Sequence, residues 1–413
     1  MSIRLHTPAR KIAAALLCLV VASAYLYVSG RCYVAYRAST VLKAESIKRA
    51  LSLEPGNADY RNLLGAYYYS EQDVPRALNN FQAASKLNPM VASYWLNIAM
   101  ADLSLGSLEQ QEAALNNAIA ADPRNPDVAW VAANYYLVQG DISRALHLMR
   151  IVLQYDDGKA EHSLALCWRA VGDADRIMKE ALPPRADRYL NFLQLLVAKK
   201  DVAASERVWN GMLSLGQPLP PKATFPFLQL LIDNGRANDA DEAWRMLAGL
   251  DPQMQAYLPG KNLVANGDFE QEVLNGGFDW RYVTNSNVSL SIDTNTVHSG
   301  TRSLSLTFNG GSGRIGVSHL VFVKPDTNYE LSAYYKADQL VSASGPRFVI
   351  VDANGGQSVE SDEMLDAASW RQIRQDFRTG ANTRVVELRI DRVPESLLIR
   401  GGLMIDDVSI VEK

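Results

Sequence analysis

The sequence predicts a multidomain α plus β protein with an N-terminal transmembrane helix, an α-solenoid of paired helices and a C-terminal β-sandwich of the jelly-roll type. Three observations lead to this prediction: an uncharged apolar run near the N-terminus, a 34-residue repeat, and short alternating strands after residue 259. We place a cytoplasmic N-terminus at residues 1–11, a membrane anchor at 12–30, the helical array at 31–256 and the sandwich at 257–413.

Length and composition narrow the class of protein. A chain of 413 residues is too long for one ordinary hydrophobic core, and its 48% hydrophobic and 21% charged residues are typical of globular domains. The formal charge of −4 gives no basic field for a phosphate backbone, so we expect no nucleic-acid partner. The three cysteines, Cys18, Cys32 and Cys167, form no disulfide framework, and Cys167 is expected to be buried in a helix.

The N-terminal apolar run predicts the compartment. From Ile12 to Val28 the sequence holds no charge over 17 residues, the lower limit for a helix that spans a hydrocarbon core. Arg4, Arg10 and Lys11 precede this run, so the positive-inside rule leaves the N-terminus in the cytoplasm. We therefore expect a single-pass protein of the cytoplasmic (inner) membrane, with the bulk of the chain on the periplasmic or extracytoplasmic side.

The competing interpretation of this run is a signal peptide, with Ala22-Ser23-Ala24 as its cleavage site. The apolar run continues past that site through Leu26 and Val28, which favours a retained anchor. Both interpretations export the remainder of the chain.

A 34-residue period runs through the middle of the sequence. Small residues at repeat positions 8, 20 and 27 would let two helices approach closely, and larger residues at positions 7, 11 and 24 would fill the space between repeats. Proline at position 32 would end the second helix. The pattern continues in phase from Ala92 and again from Pro126. In the first repeat, from Ala58, these positions hold Leu64, Gly65, Tyr68, Ala77, Phe81, Ala84 and Pro89.

These are the signature positions of the tetratricopeptide repeat, so the region resembles that family. The pattern decays in both directions. Upstream, Ile47 and Pro55 fit a repeat whose first helix would begin inside the membrane span, so that the anchor would continue into the array. Downstream, the repeat is truncated near Pro183 and restarts at Ala186 and Pro221.

The resemblance implies an interaction surface with no chemistry of its own, which holds a protein partner on its concave face. The alternative is that the polar and aromatic side chains of the first helices only complete packing or hydration. The candidates for partner binding are Tyr60, Tyr67, Asn97, Asn134 and Tyr135.

After Pro259-Gly260, helical spacing gives way to short alternating runs separated by Gly, Asn, Asp and Ser clusters. About 150 residues with this pattern predict a β-sandwich. The predicted strands begin at Val288, Ser303, Tyr329, Arg347, Val385 and Leu403.

The order of short motifs in this region is more specific than the strands. The motif NGDFE at 266–270 is followed by GFDW at 277–280 and HSGTRSL at 298–304, and IDDVSI at 405–410 closes the domain. This order resembles the carbohydrate-binding modules of the family 4 and 9 type, which have a jelly-roll fold. The resemblance extends over the whole domain.

The resemblance implies a sugar-binding face. Sugar recognition usually places an aromatic ring against the apolar face of a pyranose and planar polar side chains against its hydroxyls. For Trp280 the alternative is packing in the core. The candidates are Trp280, Tyr282, Tyr334, Tyr335, Arg347 and Asp352.

The resemblance also implies a structural Ca²⁺ site, the only cofactor we expect, because hard oxygen ligands suit calcium. Glu270, the backbone near Ser299 and Gly300, and Asp406 or Asp407 would supply these oxygens. The alternative is that the acids pin the first and last strands by hydrogen bonds.

The sequence carries no motif for catalysis. It lacks G-x-S-x-G, P-loop and H-E-x-x-H motifs, and its five histidines lie in separate segments. His147 and His162 have no His, Cys or carboxylate partner at metal-ligand spacing. We therefore predict that the protein is not an enzyme.

These features together predict a membrane-anchored extracytoplasmic scaffold. It would bind protein partners through the repeat array and polysaccharide through the sandwich, in exopolysaccharide or cell-envelope biogenesis. The alternative is a protein-only assembly factor of a membrane complex, whose sandwich does not bind glycan.

Overall fold

A computed structural model describes residues 8–283, 286–353, 355, 358–365 and 367–413. In these residues fourteen α-helices precede two antiparallel β-sheets, which confirms the predicted fold class. The chain divides into two compact units. The first runs to Gly172 and includes Lys179–Pro183, and the second contains Asp173–Met178 and Pro184–Lys413.

The helical region consists of pairs of helices that follow the repeat. Up to Val171 the helices are α1 (Pro8–Ser39), α2 (Ala44–Leu53), α3 (Ala58–Ser70), α4 (Val74–Leu87), α5 (Ala92–Ser104), α6 (Leu108–Ala121), α7 (Pro126–Gln139), α8 (Ile142–Tyr155) and α9 (Ala160–Val171). The later ones are α10 (Ala174–Glu180), α11 (Ala186–Ala198), α12 (Val202–Leu213), α13 (Pro221–Asp233) and α14 (Ala237–Leu250), followed by a 3₁₀ helix at Pro252–Tyr257.

Helix α1 joins the apolar segment to the array. It is long and apolar enough to cross a membrane, since its most apolar 18-residue window has a mean hydropathy of 2.2 and no part of that window is buried. Its last turns pack as part of the first helical pair, where Ala35 is buried together with Ile47 and Ala50 of α2. A single helix therefore runs from the apolar segment into the array, as the repeat phase predicts.

Small residues let the paired helices meet closely, as the repeat pattern predicts. A Cβ atom at Gly65 would lie 2.6 Å from the Phe81 ring, so a larger residue at this position would displace that ring. Ala77 and Ala84 are fully buried, and Cys167 is 1% exposed as expected for a small core residue. Where the pattern is truncated, α10 has only seven residues.

Aspartates immediately precede several second helices. Asp73 accepts a hydrogen bond from the Arg76 backbone N–H at 3.2 Å, and Asp141 accepts one from Arg144 at 3.1 Å. Such N-caps satisfy backbone donors that the first helical turn leaves without partners. Several repeats thus mark the start of their second helix with a capping aspartate.

The second unit ends in a β-sandwich. Its strands are β1 (Arg281–Tyr282), β2 (Val288–Asp293), β3 (Ser303–Asn309), β4 (Val317–Phe322), β5 (Asn328–Ser342), β6 (Arg347–Asp352), β7 (Ser358–Glu360), β8 (Arg371–Arg378), β9 (Val385–Asp391) and β10 (Ile399–Glu412). We call the sheet of order β1-β4-β9-β6-β7 sheet A and the sheet of order β2-β3-β10-β5-β8 sheet B.

Side chains alternate between the core and the outer face of each sheet. In sheet A the inward residues include Leu388 and Ile390, both fully buried. Arg389 lies between them and pairs in register with Ser318 and Val349, so these three residues share the outer face. This alternation decides which side chains of sheet A a ligand can reach.

The last helical repeat packs on the sandwich within the second unit. Trp244 of α14 is fully buried, and its ring centroid lies 5.9 Å from that of Phe225 on α13 and 5.7 Å from that of Phe278 in the sandwich. The indole N–H donates to the Tyr257 carbonyl oxygen at 3.2 Å. Gly277 has φ +63°, and a Cβ there would lie 2.5 Å from the Trp244 ring. Helix and sandwich therefore share one hydrophobic contact, which a fragment of residues 260–413 would lose.

Candidate functional site

Two of the six predicted sugar-binding side chains lie in the core of the sandwich. Trp280 is 2% exposed, stacks on Phe269 with ring centroids 5.1 Å apart, and donates its indole N–H to the Asn266 carbonyl oxygen at 3.0 Å. Tyr335 is 7% exposed and donates its hydroxyl to the Leu365 carbonyl oxygen at 3.4 Å. Both rings pack against the protein, which for Trp280 is the alternative that the sequence left open.

Tyr334 lies on the outer face of sheet B, but a second ring covers it. The His298 imidazole stacks on Tyr334 with centroids 3.6 Å apart and an interplanar angle of 13°. Trp370 meets the same imidazole edge-on at 5.6 Å, and Nδ1 of His298 lies 2.5 Å from Oδ2 of Asp407. A sugar could stack on this face of Tyr334 only after displacing His298.

Arg347 lies on the outer face of sheet A, at the register position opposite Asp391. Its guanidinium donates to Oε2 of Glu360 at 2.7 Å and to Oε1 of Glu363 at 2.6 Å. The side chain is half-buried, and these two acids hold it in place.

Tyr282 and Asp352 occupy core-facing register positions of sheet A, on strands β1 and β6. Tyr282 is half-buried on the edge strand β1, packs against the core, and donates its backbone N–H to Oδ1 of Asn275 at 2.8 Å. Asp352 ends β6 and accepts a hydrogen bond from Oγ1 of Thr383 at 2.5 Å. The six candidates are thus distributed over the core and both sheets, and the structure does not bring them together on one face.

The predicted calcium ligand Glu270 binds backbone donors. Its Oε1 accepts hydrogen bonds from the backbone N–H groups of Thr301 at 2.6 Å and Arg302 at 3.0 Å, and Oε2 accepts from Oγ1 of Thr301 at 2.7 Å. These hydrogen bonds, led by that of the Thr301 hydroxyl, lower the pKa of the Glu270 carboxyl.

Asp406 holds the same loop from the last strand. Its Oδ2 accepts from the backbone N–H groups of His298 at 2.8 Å and Ser299 at 3.2 Å, and Oδ1 accepts from the Asp407 N–H at 2.8 Å. Asp406 is fully buried, whereas Asp407 is half-buried and accepts from Oγ of Ser299 at 2.8 Å.

These contacts do not fit a calcium site well. Calcium takes about six to eight oxygen ligands. Each carboxylate oxygen of Glu270 and Asp406 already accepts a hydrogen bond from the protein, so these oxygens are engaged without a metal ion. Among the described residues, no group of three or more His, Cys, Asp and Glu side chains is placed to hold a metal ion. The calcium site stays a prediction, and the geometry supports the alternative that both acids pin the loop by hydrogen bonds.

Two buried titratable side chains of the sandwich, Asp279 and His319, escaped the sequence analysis. Oδ2 of Asp279 accepts the Leu274 backbone N–H at 2.6 Å, and Nε2 of His319 lies 3.0 Å from the Ala265 carbonyl oxygen. Burial raises the pKa of Asp279 to about 6 and lowers the pKa of His319 to about 4. The two groups therefore titrate in opposite directions inside one domain.

We expect these two groups to make opposite contributions to the pH dependence of stability. Between pH 4 and 6 the folded protein binds more protons at Asp279 than the unfolded chain does, so Asp279 adds stability as the pH falls. Between pH 6.5 and 4 the unfolded chain binds more protons at His319, so His319 removes stability as the pH falls. Each contribution is about 3 kcal/mol. Relative to wild type, Asp279→Asn should become less stable on acidification and His319→Gln more stable, in urea unfolding followed from pH 7 to pH 4. Parallel curves for both variants would contradict these assignments.

A groove of about 460 Å³ opens on the outer face of sheet A. Ser318, Glu387 and Arg389 line it from adjacent strands, and Arg389 forms an ion pair with Glu387. At its end, Arg314 lies 3.7 Å from Asp391. The volume falls within the range of about 300–1,000 Å³ that is usual for ligand pockets. Planar charged groups and a hydroxyl can exchange hydrogen bonds with sugar hydroxyls.

None of the groove residues was among the sequence candidates. The available signal was the alternation in the strand from Val385, which places Glu387, Arg389 and Asp391 on one face. Alternation does not show which sheet contains this strand. It therefore does not show which residues of other strands lie beside it.

The predicted partner-binding residues have mixed environments. Tyr60 is 9% exposed and belongs to a core cluster, while the half-buried Tyr67 meets a neighbouring tyrosine ring edge-on. Asn97 donates to Oδ1 of Asn62 at 2.8 Å, Asn134 donates to the Trp130 carbonyl oxygen at 2.8 Å, and the Tyr135 hydroxyl donates to the Leu108 carbonyl oxygen at 3.4 Å.

Large apolar side chains on the first helices of the repeats are more exposed than these candidates. Met100 and Leu103 of α5 are 45% and 57% exposed, and Val138 of α7 is 84% exposed. They fall at repeat positions 9, 12 and 13, outside the signature. Apolar residues at non-signature positions are the sequence signal that could have identified them.

Residues 261–396 match the family model of a carbohydrate binding domain. Among curated protein sequences, no match to the chain was found.

Three solved structures show the range of structural likenesses. The CBM22-1 xylan-binding domain of Paenibacillus barcinonensis Xyn10C is 17% identical, with 35% of this chain and 91% of that chain covered and a TM-score of 0.26. The Pseudomonas aeruginosa pilF protein is 14% identical, with 47% and 92% covered and a TM-score of 0.27. In the APC/C hetero-tetramer Cut9-Hcn1, a chain is 16% identical, with 55% and 45% covered and a TM-score of 0.29.

With TM-scores below 0.5, these likenesses carry no functional argument. The family match and the repeat pattern do not depend on them. The chain thus joins helices that follow the tetratricopeptide pattern to a C-terminal domain that is similar, over residues 261–396, to a carbohydrate binding domain.

Proposed function

We propose that this protein is a membrane-anchored extracytoplasmic scaffold that binds polysaccharide along the outer face of sheet A and protein partners through its helical array. The match of residues 261–396 to a carbohydrate binding domain carries this proposal. Both domain types are non-catalytic, and we propose that the chain works by binding alone, in exopolysaccharide or cell-envelope biogenesis.

The groove of sheet A supports the location of the polysaccharide site. Its floor is the line of outer-face residues Ser318 and Arg389, and Arg347 extends the polar surface along β6. The groove offers charged and hydroxyl groups, so a saccharide would be recognised mainly through its hydroxyls. On sheet B, by contrast, His298 covers the Tyr334 ring.

Helix α1 supports the membrane anchor. Its apolar window is exposed throughout, and Ala35 at its end is packed in the array. In a membrane-spanning orientation set by the basic N-terminal residues, the array would begin close to the extracytoplasmic surface without a flexible linker. The exposed Met100, Leu103 and Val138 would offer a partner protein apolar contacts on the concave face.

We expect Arg389→Gln to weaken oligosaccharide binding by about tenfold or more, because a hydrogen bond to a charged group contributes about 1.5–3 kcal/mol. The measurement is titration of the full chain, in detergent, with the oligosaccharides that bind it best on an array of neutral and acidic glycans. Arg374→Gln is the matched control, because Arg374 is exposed on the outer face of sheet B.

Two results would oppose the groove assignment. Affinity that survives Arg389→Gln would place the site elsewhere, and equal losses in Arg389→Gln and Arg374→Gln would indicate a nonspecific charge effect.

The second candidate function is a protein-only assembly factor of a membrane complex. The observation that favours it is the position of the sandwich aromatics: Trp280 and Tyr335 are in the core and Tyr334 is covered. A folded chain that binds no glycan on the array would support this candidate over the first.

A further inference from the structure

A second pocket lies where the last helical repeat meets the sandwich, inside the second unit. Its volume is about 660 Å³, and its lining comes from both parts of the unit. Lys222, Phe225 and Gln229 of α13 form one wall, and Asn275 and Arg281 belong to the facing wall. We call it the junction pocket. Because one wall is helical, the pocket is not a property of the sandwich alone.

Polar contacts fix the two walls relative to each other. Nη1 of Arg281 donates to Oε1 of Gln229 at 2.6 Å, and Nζ of Lys222 lies 3.4 Å from Oε1 of Glu272. The Tyr257 hydroxyl donates to the Glu272 carbonyl oxygen at 2.6 Å. These contacts and the neighbouring buried Trp244 hold the two walls of the junction pocket in a defined arrangement.

Arg281 is the central cation of the junction pocket, and both of its hydrogen-bond partners are neutral. Besides Gln229, its guanidinium donates to the Gly277 carbonyl oxygen at 2.7 Å, while its Nε–H is buried without a hydrogen-bond partner. Arg281 forms no ion pair with the described residues; Glu387 and Asp233 act on it only at longer range. Oδ1 of Asp233 accepts instead from Nε2 of Gln229 at 2.7 Å.

A half-buried cation without a direct counter-ion is costly, because its loss of hydration is not offset by a nearby opposite charge. A carboxylate supplied by a ligand would form a charge-assisted hydrogen bond with the guanidinium. Lys222 at the exposed rim adds a second positive charge, of which Glu272 is the partner. The charge balance of the pocket lining therefore favours an anionic ligand.

The remaining lining suits a sugar ring. Phe225 contributes a half-buried aromatic ring, and Gln229 and Asn275 contribute planar amides. Rings of this kind pack on the apolar face of a pyranose, and amides exchange hydrogen bonds with its hydroxyls. We propose that the junction pocket binds a carboxylated sugar unit of an acidic polysaccharide, with its carboxylate directed to Arg281. This inference rests on the proposed function and narrows its ligand to a uronic-acid type of glycan.

The test uses the full chain in detergent at low ionic strength, titrated calorimetrically with hexagalacturonate and with neutral cellohexaose. Arg281→Gln, which removes the charge, should weaken hexagalacturonate binding about tenfold or more. Lys222→Gln should weaken it a few-fold, and neither variant should change the weaker cellohexaose affinity. Arg245→Gln is the matched control, since Arg245 on α14 is exposed and pairs with Asp241.

Thermal unfolding separates binding from folding in these variants. If Arg281→Gln lowers the melting temperature of the second unit, Lys222→Gln at the exposed rim decides the question. Hexagalacturonate affinity that equals cellohexaose affinity, or that survives both substitutions, would overturn the proposal.

Failure of this proposal can be told apart from failure of the proposed function. Loss of both ligands in Arg389→Gln, with wild-type binding in Arg281→Gln and Lys222→Gln, would leave the groove of sheet A as the site and remove the junction pocket. No binding of any glycan by the wild-type chain would remove both.

Discussion

Replacing Trp244 by alanine is expected to lower the free energy of unfolding of the second unit by about 3–5 kcal/mol. The indole is fully buried between Phe225 of the last helical repeat and Phe278 of the sandwich, and its N–H is hydrogen-bonded to Tyr257. The substitution removes this ring from both neighbours at once. Hydrogen exchange should consequently rise both in α13–α14 and in the loop of residues 272–282.

Trp95→Ala is the control for this experiment. Trp95 lies on α5 in the first unit and is half-buried, with its indole N–H on the Pro89 carbonyl oxygen at 2.8 Å. It should leave hydrogen exchange in the second unit unchanged. If Trp244→Ala loosened α14 but left the sandwich loop as in wild type, the proposed coupling of repeat and sandwich would be wrong.

Asp406→Ala is expected to lower the free energy of unfolding by about 3–4 kcal/mol, because it leaves three backbone N–H groups without their acceptor. Hydrogen bonds to a carboxylate are stronger than those between neutral groups. These donors belong to His298, Ser299 and Asp407. Asp407→Ala should lower the free energy of unfolding less, because the Asp407 carboxylate is only half-buried and its partners are the side chains of His298 and Ser299. Thermal unfolding of both variants measures the difference.

The same experiment with calcium or a chelator distinguishes the two interpretations of these acids. If hydrogen bonds alone hold the loop, wild-type stability should not depend on calcium. A calcium-dependent rise in the wild-type melting temperature that disappears in Asp406→Ala would instead establish the metal site.

Much of the fold could be predicted because its signals are periodic. The 34-residue phase that begins at Ala58 marks the starts of α3, α5 and α7, and its truncation near Pro183 coincides with the short α10. Residues of alternating polarity from Val288 and Ser303 likewise became β2 and β3. Such patterns are visible because neighbouring residues along the chain share one element.

The candidate site could not be predicted as well because it depends on contacts between distant segments. Nothing local in the sequence shows that His298 stacks on Tyr334, that Gln229 of a helix meets Arg281 of a strand, or that Arg389 lies beside Ser318. Aromatic residues were predicted to bind sugar because sugars stack on aromatic rings. The same side chains also stabilise a protein core strongly when they are buried, as Trp280 is.

Hydrogen exchange of the full chain with and without saturating polygalacturonate tests the central claim, binding of polysaccharide on sheet A, most directly. We expect protection in β4 and β9, which form the groove floor, and in the adjoining strand β6, with further protection in α13 where it lines the junction pocket. Protection confined to the loop of residues 294–302 and to β5, beside the stacked His298 and Tyr334, would contradict the claim. No protection anywhere in the sandwich, either with polygalacturonate or with the glycan that binds best on the array, would also contradict it.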